Sequence, residues 1–99
     1  MINKQFTPKR TVCKVSFHIP EDWAGESVAV VGDFNDWNTS SNLMERKNGR
    51  WEALVRLQPG KEYRFRYYID GQRWQNDDAA DDYLANEYGS EDSLLRVSK

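Results

Sequence analysis

The stretch at residues 61–71 is KEYRFRYYIDG, and its side chains alternate in character from one position to the next. Apolar or aromatic residues stand at 63, 65, 67 and 69, whereas Arg64, Arg66 and Tyr68 lie between them. Successive side chains of a strand point to opposite faces, so this alternation predicts a strand with one buried face. Asp70 and Gly71 then predict a hairpin turn. The exposed face of this strand would carry a row of basic and aromatic side chains.

Segments on both sides of this stretch also predict strands. Residues 11–19 alternate in the same way, and residues 27–32 form an almost continuous run of apolar, largely β-branched side chains. Residues 51–57 alternate after Asn48-Gly49, a pair typical of a type I′ hairpin turn, and residues 93–97 predict an edge strand. Only residues 77–86 have a spacing that could suit a helix. Short strands at intervals of roughly 8 to 12 residues predict an all-β sandwich.

The length of the chain, 99 residues, suits one domain. We expect a loose N-terminal arm over residues 1–10 and a single β-sandwich over residues 11–99. A domain of this size buries only about 60 to 68% of the surface that its unfolded chain exposes, so it has little depth for an enclosed active site. The length therefore favours a protein that binds at its surface.

The composition argues against several classes of function. A single cysteine, Cys13, cannot form an internal disulfide, and His18 as the one histidine leaves too few ligands for a Cys/His zinc site. A net charge of −2 and a pI of 5.4 do not suit a nucleic-acid-binding protein. No apolar run approaches the roughly 18 residues of a membrane helix, and residues 1–5 lack the apolar region of a signal peptide. We therefore expect a cytoplasmic protein without metal, cofactor or membrane contact.

Two of the four tryptophans lie in polar, turn-like segments. Trp37 follows Asn35 and Asp36, and Trp74 lies between Arg73 and a glutamine. A pyranose ring presents one face of C–H groups and a rim of hydroxyls, so its binding site combines flat apolar rings with planar polar groups. Two exposed tryptophans beside the basic and aromatic row predict such a site.

Four motifs along the chain carry a resemblance to a known family. They are GDFNDW at residues 32–37, LQPG at 57–60, RFRYYIDG at 64–71 followed by Trp74, and YGSEDSLL at 88–95. In this order and spacing they resemble the glycogen-binding modules of AMP-activated protein kinase β subunits. They also resemble the N-terminal early-set modules of isoamylase and branching enzymes, which together form carbohydrate-binding module family 48. The resemblance extends over residues 12–97.

This resemblance implies an immunoglobulin-like, early-set β-sandwich that binds α-1,4-linked glucan such as glycogen without catalysis. The two tryptophans of the family's sugar platform correspond to Trp37 and Trp74, and its basic contact corresponds to Arg66. Tyr88 stands where the kinase modules have a leucine that reaches the sugar, and Asp92 stands where the family has an asparagine. An aspartate keeps the acceptor oxygens but lacks the amide donor. The resemblance also implies a glycogen-metabolising enzyme or a kinase as a protein partner.

Other functions can be weighed from the residues alone. Glycoside hydrolysis needs two carboxyl groups that face each other across the bound bond, but the carboxylates here fall on predicted turns or exposed strand positions. We therefore expect no catalytic residue. The acidic run at residues 77–82 could offer oxygens to calcium, although we favour a solvated loop. An RNA-binding surface would use the basic and aromatic row, but the chain carries no matching signature.

The main alternative to sugar binding is a docking module for another protein. An early-set sandwich can serve such a role after losing its sugar site, because fold alone does not decide function. Asp92 favours docking, since it departs from the sugar-binding pattern. Trp37 and Trp74, both present, favour sugar.

Overall fold

Two antiparallel β-sheets form the protein, and the computed structural model describes residues 2–98. The strands are β1 Ile2–Phe6, β2 Cys13–Pro20, β3 Val28–Gly32, β4 Glu45–Lys47, β5 Arg50–Leu57, β6 Lys61–Ile69, β7 Arg73–Gln75, β8 Asp82–Ala85 and β9 Glu91–Val97. The first sheet has the order β1-β2-β5-β4, and the second has the order β3-β6-β9-β8 with β7 also paired to β6. The described residues contain short 3₁₀ turns but no α-helix. The prediction of an all-β, immunoglobulin-like sandwich is confirmed.

Strand β6 lies at the centre of the second sheet and buries the face that its alternation predicts. Phe65, Tyr67 and Ile69 are fully buried. The ring of Phe65 packs against Phe17 of β2 with centroids 5.2 Å apart, and Tyr67 packs edge-on against Phe65 at 5.8 Å. The core between the sheets is therefore built on a cluster of aromatic side chains contributed by both.

The β4–β5 hairpin follows the predicted turn chemistry. Asn48 and Gly49 both have positive φ, 56° and 76°, which a type I′ turn requires. Beyond the turn, Trp51 and Leu57 are buried on the core face. The Trp51 indole N–H donates to the backbone carbonyl of Glu21, so this ring has a structural role.

The expectation of a loose arm over residues 1–10 is wrong for residues 2–6. These residues form β1, which pairs with β2 in the register Ile2↔Phe17 to Phe6↔Cys13. Lys4 interrupts the apolar alternation in the sequence, but its ammonium reaches the rim of the other sheet. There it contacts the Asp81 carboxylate at 2.6 Å and donates to the Arg96 carbonyl at 2.7 Å. Lys4 thus interrupts the pattern that would predict a strand, but its side chain joins β1 to the second sheet.

The strand pairing shows that two further expectations are wrong: the possible helix at residues 77–86 and the edge position of the strand at residues 93–97. Residues 77–86 form no helix, and their second half is β8. Strand β8 pairs with β9 and takes the edge of the second sheet. The predicted edge strand at residues 93–97 therefore lies inside the sheet, between β6 and β8, and Leu94 and Leu95 are buried. A strand flanked by two others must bury more of its surface than an edge strand, and residues 92–95 are all buried.

Candidate functional site

A groove on the outer face of the second sheet brings together all five residues predicted for sugar binding. We call it the aromatic groove. It is lined by Trp37, Arg64, Arg66, Trp74, Ala85, Asn86, Glu87, Tyr88, Ser90 and Asp92. The groove floor comes from β6 and β9, one wall from the turn after β3, and the other from the loop between β8 and β9.

Trp37 is held in a turn with unusual backbone geometry. A 3₁₀ turn, Asp33–Asn35, follows β3, and both Asp36 and Trp37 then have positive φ, 56° and 57°. This conformation is costly for a bulky side chain and is found where the surrounding structure enforces it, often at functional sites. The backbone N–H of Trp37 donates to the Gly32 carbonyl at 2.9 Å, and its indole N–H donates to the Asp33 carboxylate at 3.0 Å. The indole is therefore oriented without a ligand.

The Trp37 turn is also fastened to strand β6. The second oxygen of Asp33 accepts a hydrogen bond from the backbone N–H of Arg64 at 2.8 Å. Gly32 lies so close to β6 that a Cβ at this position would stand 2.3 Å from the Arg64 carbonyl oxygen and 2.8 Å from the Cβ of Phe65. Only glycine fits this close approach, which explains the first residue of the GDFNDW motif.

Trp74 reaches the aromatic groove from β7. Asp70 and Gly71 have φ of 54° and 66°, so the predicted turn forms and returns the chain along β6. Trp74 pairs with Tyr68 on the outer face, and their ring centroids are 4.6 Å apart. The centroids of Trp74 and Trp37 are 6.4 Å apart with an interplanar angle of 58°. Trp74 is 43% exposed and Trp37 is half-buried, so the two indoles form a partly accessible apolar surface.

The two arginines of the groove floor differ in how much of each remains accessible. Arg66 donates through Nε to the Glu91 carbonyl at 2.9 Å and through Nη2 to Ser90 Oγ at 2.9 Å, and its side chain is 18% exposed. The described side-chain contacts of Arg64 are made through Nη1, and 38% of this side chain is exposed. Arg64 therefore presents more of its donor capacity to the groove than Arg66 does.

Asp92 lies at the base of the groove with both carboxylate oxygens in use. One oxygen is 3.3 Å from Arg64 Nη1, and the other is 3.3 Å from Arg66 Nε and accepts from Asn86 Nδ2 at 3.2 Å. The residue is 7% exposed. A carboxylate between two guanidinium groups restrains both of them, because charge-assisted contacts are stronger than neutral ones. The sequence placed Arg64 in the exposed row but did not single it out, since its orientation depends on Asp92.

Tyr88 stands on the opposite rim of the groove. It belongs to the loop between β8 and β9, where the Asn86 side-chain oxygen accepts from the backbone N–H groups of Tyr88 at 2.9 Å and Ser90 at 3.3 Å. Gly89 has a φ of 81°, which completes the turn. The Tyr88 side chain is 85% exposed. Its ring is thus displayed to solvent and lines the same groove as the two tryptophans.

The geometry of the groove agrees with a comparison with known proteins. The family described as the glycogen recognition site of AMP-activated protein kinase matches residues 15–99. The chain belongs to this family. Every residue of the aromatic groove lies within the matched region.

Several curated relatives are similar to this chain over most of its length. The 1,4-alpha-glucan branching enzyme GlgB of Deinococcus radiodurans is 43% identical over 65 residues, which cover 62% of this chain and 9% of that enzyme. The 5′-AMP-activated protein kinase subunit beta-2 of Mus musculus is 29% identical over 75 residues, or 76% of this chain and 26% of the subunit. Protein PTST homolog 2, chloroplastic, of Arabidopsis thaliana is also 29% identical over 75 residues, or 13% of its length. The chain thus spans about a quarter or less of these relatives.

The acidic run at residues 77–82 departs from the expected solvated loop at Asp77, whereas Asp78 is exposed and Asp81 and Asp82 are exposed but paired with basic side chains. Asp77 is buried and accepts a hydrogen bond from the Tyr67 hydroxyl at 2.6 Å. Burial, together with the nearby Asp77 carboxylate, raises the pKa of Tyr67 well above its ordinary value. Partial burial raises the pKa of Asp81, but its contacts with Lys4 and the Arg96 backbone outweigh this and lower it. Between residues 2 and 98, the acidic, histidine and cysteine side chains form no cluster that could hold a metal ion.

The helices of the structure can be compared with the length that a membrane-spanning helix requires. Within the described part of the chain, no helix is long and apolar enough to span a membrane. This accords with a fold composed of strands and short 3₁₀ turns over residues 2–98.

Proposed function

We propose that this chain binds α-1,4-linked glucan without catalysis, through a platform formed by the Trp37 and Trp74 rings. The observation that carries this proposal is the convergence of the two indoles, 6.4 Å apart, in one groove with a partly exposed arginine. Membership in the glycogen-recognition family supports it. The curated relatives named as a branching enzyme and as a kinase subunit contain the same region.

The chemistry of a pyranose suits this arrangement. Its C–H face stacks on the indoles, which are held at an angle and so follow the curvature of an α-linked chain. Its hydroxyls accept hydrogen bonds from the guanidinium donors of Arg64, while Arg66 supports the floor from beneath. Tyr88 packs against the far side of the sugar. An open groove buries little of a ligand, so the expected Kd lies between roughly 1 µM and 1 mM.

Asp92 has an indirect part in this proposal. Its oxygens already accept hydrogen bonds from Arg64 and Asn86 and form an ion pair with Arg66, so it positions the arginines and gives few acceptor sites to the sugar. The amide donor that is lost with the family's asparagine is replaced by Arg64. Sugar binding therefore survives the exchange, with the hydrogen-bond donor moved from β9 to β6.

Isothermal titration calorimetry with maltoheptaose tests the platform. We expect wild type to bind, and Trp37→Ala and Trp74→Ala each to weaken binding by at least about tenfold. Leu54→Ala is the matched control, because Leu54 is a large apolar side chain exposed on the first sheet. Thermal unfolding of each variant confirms that the fold persists. Absence of binding by wild type, or equal affinity of all variants, would contradict the proposal and favour a docking module.

The relatives also suggest the context in which such a module acts. Since the branching enzyme and the kinase subunit are several times longer than this region, the proposal includes a protein partner: an enzyme of glucan metabolism or a kinase that the module brings to the polymer. Co-sedimentation of the candidate enzyme with glycogen, with and without the module, tests this part separately.

A further inference from the structure

A second groove lies directly beside the aromatic groove and shares Trp74 with it. We call it the Tyr83 groove. It is lined by Trp74, Gln75, Asn76, Asp77, Asp78, Tyr83 and Glu91. The chain neighbours of Glu91 on either side, Ser90 and Asp92, line the aromatic groove, so the start of β9 separates the two depressions. Trp74 therefore offers apolar surface to both grooves.

The Tyr83 ring is a rigid and partly exposed apolar surface. Its hydroxyl donates to the Asp77 carbonyl at 2.6 Å and accepts from the Ala80 backbone N–H at 3.3 Å. Its backbone belongs to β8, where it pairs with Ser93. The ring is nevertheless 37% exposed. A ring fixed at its polar end and open along its apolar part is preorganised for stacking, since little rotamer entropy is lost on binding.

The polar groups of the Tyr83 groove are of two kinds. Asn76 is held in place, because its Nδ2 donates to the Glu91 carbonyl at 2.9 Å and its Oδ1 accepts from Ser93 Oγ at 2.8 Å. The side chains of Asp78 and Glu91 take part in none of the described hydrogen bonds or ion pairs through their carboxylates, and both residues are exposed. Carboxylates accept hydrogen bonds and can receive pairs of hydroxyls from a sugar.

These features select the class of ligand. The lining contains acidic and neutral residues without lysine or arginine, so a phosphate or another anion would be repelled. No cluster of metal-binding type exists among the described residues, so a metal ion is not favoured either. A neutral polyol with one apolar face fits both the rings and the free acceptors. Because Trp74 belongs to both grooves, the polyol of the Tyr83 groove can be continuous with the ligand of the aromatic groove.

We propose that the Tyr83 groove is a second subsite, which takes glucose units of the same glucan that extend past Trp74. This inference rests on the proposed function of the aromatic groove. It adds that longer glucans bind more tightly than short ones, and that this gain depends on Tyr83, Asp78 and Glu91. Short oligomers are held by the aromatic groove alone.

The test compares maltotriose with maltoheptaose by calorimetry in wild type, Tyr83→Ala and the double variant Asp78→Ala/Glu91→Ala. We expect both variants to bind maltotriose as wild type does, and to bind maltoheptaose about three- to tenfold more weakly than wild type. Tyr83→Phe is the matched control, because it keeps the ring and removes the hydroxyl. The double variant should fold even if Tyr83→Ala does not, since the two carboxylates take part in no described contact, and it therefore keeps the subsite testable.

Amide shifts in ¹⁵N–¹H spectra give an independent readout. Maltoheptaose should shift the signals of Asp78 and Tyr83. Maltotriose should shift the signals of Trp37 and Arg64 and leave those of Asp78 and Tyr83 unchanged. If wild type binds both sugars with equal affinity, or the variants lose maltotriose and maltoheptaose alike, the second subsite is refuted while the platform stands. If wild type binds neither, both proposals fail together.

Discussion

In each of the two walls of the aromatic groove, an asparagine side chain forms the hydrogen bonds that shape the turn. The two asparagines differ in how far their hydrogen bonds connect the turn to the rest of the fold. The Trp37 wall, residues 32–37, is organised by Asn35, which accepts from the Gly32 N–H at 3.1 Å and donates to the Val30 carbonyl at 3.1 Å and to Asn42 at 2.7 Å. The Tyr88 wall, residues 86–90, is organised by Asn86. Asn35 joins its turn to a buried strand and to a second segment. The first wall is therefore part of the framework of the fold.

Asn86, in contrast, makes most of its hydrogen bonds inside its own loop. Its partners are the Tyr88 and Ser90 N–H groups, Ser90 Oγ and the Asp92 carboxylate. Of these, only Asp92 is a buried residue. The comparison teaches that Trp37 is fixed before a ligand arrives, whereas Tyr88 can adjust to one. Changes in the first wall should cost stability, and changes in the second should cost affinity.

The largest expected difference between the walls concerns their glycines. In Gly32→Ala the new Cβ would overlap the Arg64 carbonyl at 2.3 Å, and relieving this overlap should cost about 3 kcal/mol of unfolding free energy. In Gly89→Ala no atom lies within 4 Å, and the cost of about 1 kcal/mol comes from its positive φ of 81°. Urea unfolding of both variants measures the difference. Equal destabilisation would show that β3 does not approach β6 so closely.

The second prediction compares the two asparagines. Asn35→Ala removes three hydrogen bonds in a part-buried position and should lower the unfolding free energy by about 2 kcal/mol. Asn86→Ala should lower it by less than about 1 kcal/mol, because water can replace the loop's exposed bonds. Maltoheptaose affinity should nevertheless fall in Asn86→Ala, because Tyr88 and Asp92 lose a shared partner. Chemical denaturation and calorimetry on the same samples check both parts, and a larger stability loss in Asn86→Ala would reverse the comparison.

Asp33 tests how the Trp37 indole is held. Asp33→Ala removes the acceptor for the indole N–H and for the Arg64 backbone N–H. We expect maltoheptaose affinity to fall about three- to tenfold, because a freely rotating indole loses orientational entropy on binding. Asp33→Asn is the matched control, since its one amide oxygen can serve one of the two donors, and it should be intermediate. Unchanged affinity in Asp33→Ala, measured by calorimetry, would mean that the backbone alone fixes Trp37.

The smallest expected effect belongs to Tyr88. Tyr88→Ala should change the unfolding free energy by less than about 0.5 kcal/mol, because the side chain is 85% exposed. The affinity for maltoheptaose should fall about threefold, since one stacking partner is lost while the platform remains. Tyr88→Leu should retain part of that contact. A loss of affinity as large as that of Trp37→Ala would place Tyr88 in the platform itself.

Much of the framework could be predicted from local patterns. The alternation in residues 61–69 predicted the buried face of β6, and Asn48-Gly49 predicted the hairpin turn between β4 and β5. The turn-like surroundings of Trp37 and Trp74 predicted two rings outside the core, and the structure brings them into one groove. The same patterns failed for β1, where a lysine interrupts the apolar face, and for β9, whose position in the sheet depends on β8.

The sequence by itself determined most of the strands, the turns and the identity of the aromatic rings, because a side-chain period of two and the turn preferences of glycine, asparagine and aspartate are local properties. Strands β1 and β8 were not determined in this way. Only the tertiary structure decided which charges meet. Asp92 and Arg64 are 28 residues apart, and Lys4 and Asp81 are 77 apart, so no local pattern specifies either contact. Such pairs form where two sheets and their loops come together, and that is why the more exposed arginine of the aromatic groove is Arg64 and why Asp81 of the acidic run contacts β1.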